Sequence, residues 1–444
     1  MTQVQLDQIV NAVLYEGYIL YPYRPSSKKN RRERFTFGRV YPKEYSEFQK
    51  GAEPCVNQTE CLLQSTGKAP STQVTVRFLQ PMWREVGYMT EGVEESFEAI
   101  PEMSVDGTLY QSWQEATERT VTVSLRSLDP SKSSQVNFPF SFASSRSCEP
   151  LSFEGGFART AIMRRREALE GMVEVEATPV ATDVFKIAVR VSNHTPISRE
   201  KCDDQDAVIM RTFASTHTIL KATGGSFISL MDPPAEFGPF AAQCRNIGTW
   251  PVLAGDEKQG ERDTMLSSPI ILYDYPQIAP ESAGSFFDGT EIDEILTLRV
   301  MTMTDGEKIE MRRVDEYARQ LLERTEAAGA KDLLKMHGTM REVKADAEFF
   351  NPTQPVKSIV VAGRDVRAGA SVRIHPKKRA DAIDMILDGK VAIVEAIEQD
   401  AEGCIHLALV LEDDPGKDLG FARQSGHRFF YSPEEVELLE EATV

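Results

Sequence analysis

Four segments set the strongest limit on what this chain can fold into, because they alternate polar and apolar residues with a period of two: TQVTVRFL (72–79), RTVTVSL (119–125), VEVEA (173–177) and VFKIAVRV (184–191). Successive side chains of a strand point to opposite faces, so this pattern suits a sheet with one face in a core and the other in water. The last two segments are joined through Thr178, Pro179 and Asp183, which predicts a hairpin inside an antiparallel sandwich or barrel.

Elsewhere the period changes. A short helix is expected over Gln5 to Leu14 and another over Ala235 to Cys244. GGSFISLMDPP (224–234), SSPIILYDYPQIAPES (267–282) and EILTLRVMTM (294–303) are apolar runs bounded by Gly and Pro that suit buried strands, although period alone does not separate such a run from a helical segment. From Thr304 the period is helical. Thr304 and Glu307 form a capping-box pattern, and Met311, Val314, Ala318, Leu321, Leu322 and Thr325 recur at steps of three and four. Gly329 then ends that helix and a second follows over Lys331 to Val343, so a helical hairpin over 304–343 is expected to close the large domain.

NPTQP (351–355) is the expected boundary between a large domain, 1–350, and a small one, 351–444. Beyond it, KSIVVAG, SVRIHP, GKVAIVEAIEQD, CIHLALVLEDD and HRFFYSPEEVELL form short β segments whose pattern resembles a small SH3-like barrel. The predicted class is α+β: a large β-rich N-terminal domain closed by a helical hairpin, followed by a small SH3-like β-barrel.

Charge narrows the function. The 444 residues carry 68 acids against 50 bases, a formal net charge of -18, and such a surface repels a phosphate backbone. Nucleic acid is therefore a minority reading. No apolar run reaches the ~18 to 20 residues that a membrane span requires. The N-terminal residues lack a basic head, an apolar run and a small-residue cleavage site, so a cytoplasmic protein is expected. Cys55, Cys61, Cys148, Cys202, Cys244 and Cys404 are scattered, as reduced thiols are in a large cytosolic chain.

Against that acidic balance, YPYRPSSKKNRRERFTFG (21–38) sets Arg24, Lys28, Lys29, Arg31, Arg32 and Arg34 against the single acid Glu33. The aromatic stem YEGYILYPY looks like core, so a basic loop over 24–39 is expected to project, with SSKKNRRER as its tip. Three uses stay open for it: pairing with the chain's own acids, docking on an acidic protein, or contact with a polyanion.

Motifs for catalysis are missing. The sequence holds no G-x-S-x-G, no phosphate-binding glycine frame and no C-x-x-C, so neither cofactor nor metal is expected. The weak candidates for a reacting group are His217, Cys244, Asp274 and, in FFDGTEIDE (286–294), Asp288, Glu291 and Glu294. A histidine can serve as a base, and clustered acids can bind a hard cation or share acid and base work. The bland reading of each is structural: a bonded core histidine, an unligated thiol, and acids at a turn.

Several segments resemble uncharacterised proteins encoded beside high-affinity uptake nickel-iron hydrogenases of aerobic bacteria. They are STHTILKATGGSFISLMDPP (215–234), CRNIGTWPVL (244–253), LSSPIILYDYPQIAPES (266–282) and FDGTEIDEILTLR (287–299), with YEGYILYPYR near the start and GHRFFYSPEEVE near the end. The resemblance implies a cytoplasmic accessory protein acting in assembly or maturation of a hydrogenase, and it carries no catalytic residues. Hydrogenase-maturation chaperones with small β-barrels begin Met-Cys, whereas this chain begins Met1-Thr2, so their handling of the iron site does not transfer.

Two functions are expected to compete. The first is a non-catalytic accessory or assembly factor that binds a nickel-iron hydrogenase subunit or its maturation machinery through the basic loop. The alternative is a metal-handling or hydrolytic enzyme using a pocket of His217, Cys244, Asp274 and the 288–294 acids, which requires those residues to converge.

Overall fold

The period-two segments fold as strands. Val184–Asn193 pairs antiparallel with Leu169–Ala181 on one side and with Val56–Ser65 on the other. The predicted hairpin turns at Thr182 and Asp183, with Asp183 at a φ of 60°. Gly225–Ile228 and Ser134–Phe142 complete this five-stranded sheet. The computed structural model describes residues 3–66, 70–89, 97–105, 108–151, 160–278, 284–288, 293–327, 358–361, 363–376, 387–399, 405–414, 417 and 428–439. The chain divides into two units, Met1–Thr339 and Met340–Val444.

A second antiparallel sheet in the first unit is built around Ser71–Met89, a strand of 19 residues. Trp113–Leu125 runs along one edge of it, and Ala214–Thr223 followed by Thr160–Arg166 along the other. Pro81 has no N–H to give to a ladder. It falls in the gap between Leu79, where pairing with Ala214 ends, and Trp83, where pairing with Arg165 begins. Thr264–Ser268 and Trp250–Leu253 extend the sheet beyond Ala214–Thr223.

The apolar faces of the two sheets meet in one core. Val74, Val76 and Phe78 from the second sheet and Val173, Val175, Ile187 and Val189 from the first are buried in the same cluster. A slip of one residue in either register would turn these side chains out to water, so the alternation itself fixes the pairing. A separate core gathers Leu14, Tyr18, Tyr23, Phe35 and Trp113 with residues of the helices Asp293–Met301, Asp305–Arg312 and Glu316–Ala327.

Three expectations are corrected. With 45% strand and 20% helix the protein is mostly β rather than α+β. EILTLRVM departs in the other direction, being helical where a buried strand was expected: Leu296 and Val300 are buried while Ile295 and Leu298 are exposed, a spacing that only a helix places on separate faces.

Among the described residues no helical hairpin closes the large unit. The capping box at Thr304 is present, and Met311, Val314, Ala318, Leu321, Leu322 and Thr325 are buried as the pattern predicts. However, the single expected helix breaks in two because Asp315 starts a new one, its Oδ1 accepting the Ala318 N–H at 2.8 Å. The second arm expected over Lys331 to Val343 lies outside the described residues, as does the NPTQP segment.

The second unit holds no closed barrel among its described residues. Its five-stranded sheet runs, in spatial order, Phe429–Tyr431, Ile405–Leu411, Val391–Gln399, Ser371–Ile374 and Val436–Leu438, and the two outer strands do not pair with each other. Closure needs a ladder between those edges, and each has only three residues to give. Ile359–Val361 and Arg364–Val366 form a separate two-stranded ribbon. No helix among the described residues is long and apolar enough to cross a membrane.

Candidate functional site

The basic run folds back on the protein that carries it. Lys28–Arg32 forms a short helix capped by Ser27, whose Oγ accepts the Asn30 N–H at 3.2 Å. Asn30 is buried and fixes the turn: its Oδ1 accepts the Leu20 N–H at 2.8 Å, and its Nδ2 donates to Leu20 O at 2.7 Å and Arg24 O at 3.1 Å. A buried amide with its partners in place specifies one conformation, because any other leaves it unpaired.

That turn sorts the six cations. Arg24 lies 3.2 Å from Glu307 and 3.9 Å from Glu310, on the helix Asp305–Arg312. Lys29 Nζ lies 2.7 Å from Asp288 Oδ2, and the same carboxylate accepts the Tyr21 N–H at 2.9 Å. Arg34 is only 5% exposed. Its Nε donates to Tyr18 O at 2.5 Å and its Nη1 to Gln114 O at 2.7 Å, with the guanidinium 4.0 Å from the Trp113 ring centre. Burial pulls the Arg34 pKa down to about 10, which leaves it cationic at neutral pH.

Lys28, Arg31 and Arg32 are left exposed, and among the described residues their side chains make no hydrogen bond or ion pair. Two sequence features weighed separately therefore form one unit: the acidic run supplies Asp288 to Lys29 of the basic run. Glu291 and the Glu294 side chain lie outside the described residues.

Beside the loop opens a cleft of about 220 Å³, lined by Arg31, Arg32, Arg34 and Arg39 of the loop segment and by Gln205 and Asp206 from farther along the chain. The second wall is the short helix Gln205–Ile209, capped by Asp204, whose Oδ1 accepts the N–H groups of Asp206 and Ala207. Sequence reasoning missed this wall. The capping aspartate was its one local signal, and nothing local says which part of the chain such a helix faces.

The four catalytic candidates within the described residues are each taken up in other contacts. His217 is fully buried; its Nδ1 donates to Ser215 O at 2.7 Å, which fixes Nε2 as the acceptor of the Ser268 hydroxyl at 3.1 Å. Burial pushes the His217 pKa down to about 4, so the ring is neutral. A serine hydroxyl on an oriented histidine has the form of an activated nucleophile, but Ser268 is also fully buried and presents no surface to a substrate.

Cys244 is half-buried with its Sγ 3.7 Å from Phe240 O, and burial, aided by Glu60, pushes the thiol up to about 11. It is a thiol, not a nucleophilic thiolate. Asp274 braces the chain: its Oδ2 accepts the Ser229 hydroxyl at 2.5 Å and its Oδ1 the Leu253 N–H at 2.7 Å. Asp288 neutralises Lys29. Among the described residues no group of three or more His, Cys, Asp or Glu side chains could hold a metal ion.

No protein-family model matches the chain, and no curated protein matches it. Among solved structures, the secretin InvG of the Salmonella SPI-1 type III secretion injectisome, in its open gate state, aligns at 8% identity with a TM-score of 0.08. The alignment covers 48% of this chain and 51% of that one, about half of each, and a likeness this slight carries no argument.

Proposed function

We propose that this protein is a non-catalytic accessory factor of the cytoplasm that docks, through Lys28, Arg31 and Arg32, on an acidic surface of a nickel-iron hydrogenase subunit or of its maturation machinery. The observation that carries the docking role is the sorting of the basic loop. Arg24, Lys29 and Arg34 hold the loop in place, and the three remaining cations stand outward on it with no partner among the described residues. The backbone that carries them is already fixed and loses little freedom on binding, and the charges steer encounter with an acidic partner. The hydrogenase setting rests on the sequence resemblance.

Three outward cations on a chain of net charge -18 support a local protein contact better than a track for nucleic acid. The metal-handling or hydrolytic alternative lacks comparable support, since His217, Cys244, Asp274 and Asp288 are occupied in separate contacts.

The test is a tagged pull-down from the native cell, comparing the natural chain with Lys28→Glu/Arg31→Glu/Arg32→Glu. The expected result is recovery of a hydrogenase subunit or maturation factor by the natural chain and its loss in the variant, at an unchanged melting temperature. Equal recovery by both proteins ends the docking role.

A further inference from the structure

The cleft beside the loop joins a concave shape to a strong local charge. Arg31, Arg32, Arg34 and Arg39 line it, and Asp206 is the one acid among its lining residues. Arg39 is held by its neighbours, its Nη1 donating to Tyr41 Oη at 2.8 Å and its Nη2 to Arg34 O at 2.7 Å. Asp206 Oδ1 accepts from Gln114 Nε2 at 2.9 Å.

Arg34 supplies the second observation. Two of its nitrogens are bonded to backbone carbonyls, but Nη2 is buried with no hydrogen-bond partner among the described residues. A buried cationic donor left unpaired is costly, and its charge adds to the positive potential behind the cleft without touching what the cleft holds. The volume, about 220 Å³, lies below the ~300 Å³ at which drug-sized ligand pockets begin, so it suits one side chain better than a cofactor.

We propose that this cleft seats a carboxylate side chain from an acidic segment of the docking partner, with Arg31 and Arg32 gripping it at the rim and Arg34 lying behind. The inference deepens the docking reading and rests on it. Arginine forks match carboxylate oxygens in geometry, which a diffuse patch of lysines does not.

The test uses the full chain and a fluorescent peptide of alternating Glu and Gly, with a Gln/Gly peptide as control and inorganic phosphate as competitor. Binding of the Glu peptide alone is expected, weakened about tenfold by Arg31→Ala/Arg32→Ala. Gln205→Trp, at an exposed position on the rim, should block the cleft and weaken binding as strongly. Asp206→Asn, which removes the opposing charge, should tighten it about threefold. Circular dichroism confirms that each variant is folded.

Equal binding of the Gln peptide overturns the proposal, and so does displacement by phosphate as effective as by excess Glu peptide, which marks a site for small anions. If charge reversal of the loop abolishes capture of the partner while Gln205→Trp leaves both capture and peptide binding unchanged, the cleft assignment falls and docking stands. If the Glu peptide binds in the cleft but charge reversal leaves capture intact, the carboxylate site stands and the docking reading falls.

Discussion

Lys29 and Asp288 join two stretches of chain more than 250 residues apart: the ammonium lies 2.7 Å from a carboxylate whose side chain is fully buried, while the lysine keeps 27% of its own side-chain surface. The pair holds the basic loop down at its middle. Removing the cation leaves a buried negative charge with less to compensate it, so Lys29→Met is expected to cost about 2 to 4 kcal/mol. Urea unfolding measures this directly, and Lys29→Met/Asp288→Asn should recover part of the loss. Arg31→Met, at an exposed and unpaired position, should stay within about 0.5 kcal/mol of the natural chain.

Arg34 is expected to behave as a core residue in spite of its charge. Lysine keeps the charge but cannot reach Tyr18 O and Gln114 O together, and it loses the flat contact with Trp113. Arg34→Lys should therefore lower stability by about 2 kcal/mol in the same unfolding experiment. A neutral result would mean that the backbone holds the loop without this side chain.

These two residues also show what the sequence could and could not reveal. The strand Val184–Asn193 was legible because alternation is a local property of the chain, and the helix after Thr304 was legible because its cap and its buried stripe are local too. In KKNRRER, by contrast, every cation reads alike. Which of them is buried depends on the phase of a short helix and on Asn30 finding Leu20, and Asp288 lies far along the chain. The EILTLRVM helix was obscured because its apolar residues fall on both faces, with Ile295 and Leu298 exposed. The small unit was misread as a barrel because strand segments are local while closure is a pairing between edges.

The capping box offers a third measurement. Thr304 Oγ1 accepts the Glu307 N–H, and Glu307 Oε2 accepts the Thr304 N–H at 3.0 Å, so the two residues satisfy one another at the start of Asp305–Arg312. That helix bears Glu307 and Glu310, which hold Arg24. Thr304→Ala is expected to cost about 1 kcal/mol and Thr304→Ser much less. Thermal melts of the two variants side by side separate loss of the cap from loss of the methyl group.

His217 predicts how the fold responds to acid. Its pKa falls from 6.5 to about 4, chiefly through burial, with the positive charge of Arg77 acting in the same direction and the bond to Ser215 O opposing it. Between pH 6.5 and about 4 the unfolded chain binds a proton at this ring that the folded chain excludes. The contribution is therefore complete above pH 6.5, falls as the medium is acidified through that window, and is lost below about pH 4. The total is on the order of 3 kcal/mol. Carboxylates titrate over part of the same range, so the informative quantity is the difference between the natural chain and His217→Gln. Glutamine keeps a donor and an acceptor for Ser215 and Ser268 but binds no proton. Urea midpoints measured from neutral pH to below pH 4 should fall more steeply for the natural chain through that window, with the two slopes converging beneath it. Parallel slopes throughout would mean that the ring is protonated in the folded protein and that Ser268 is not held by a neutral histidine.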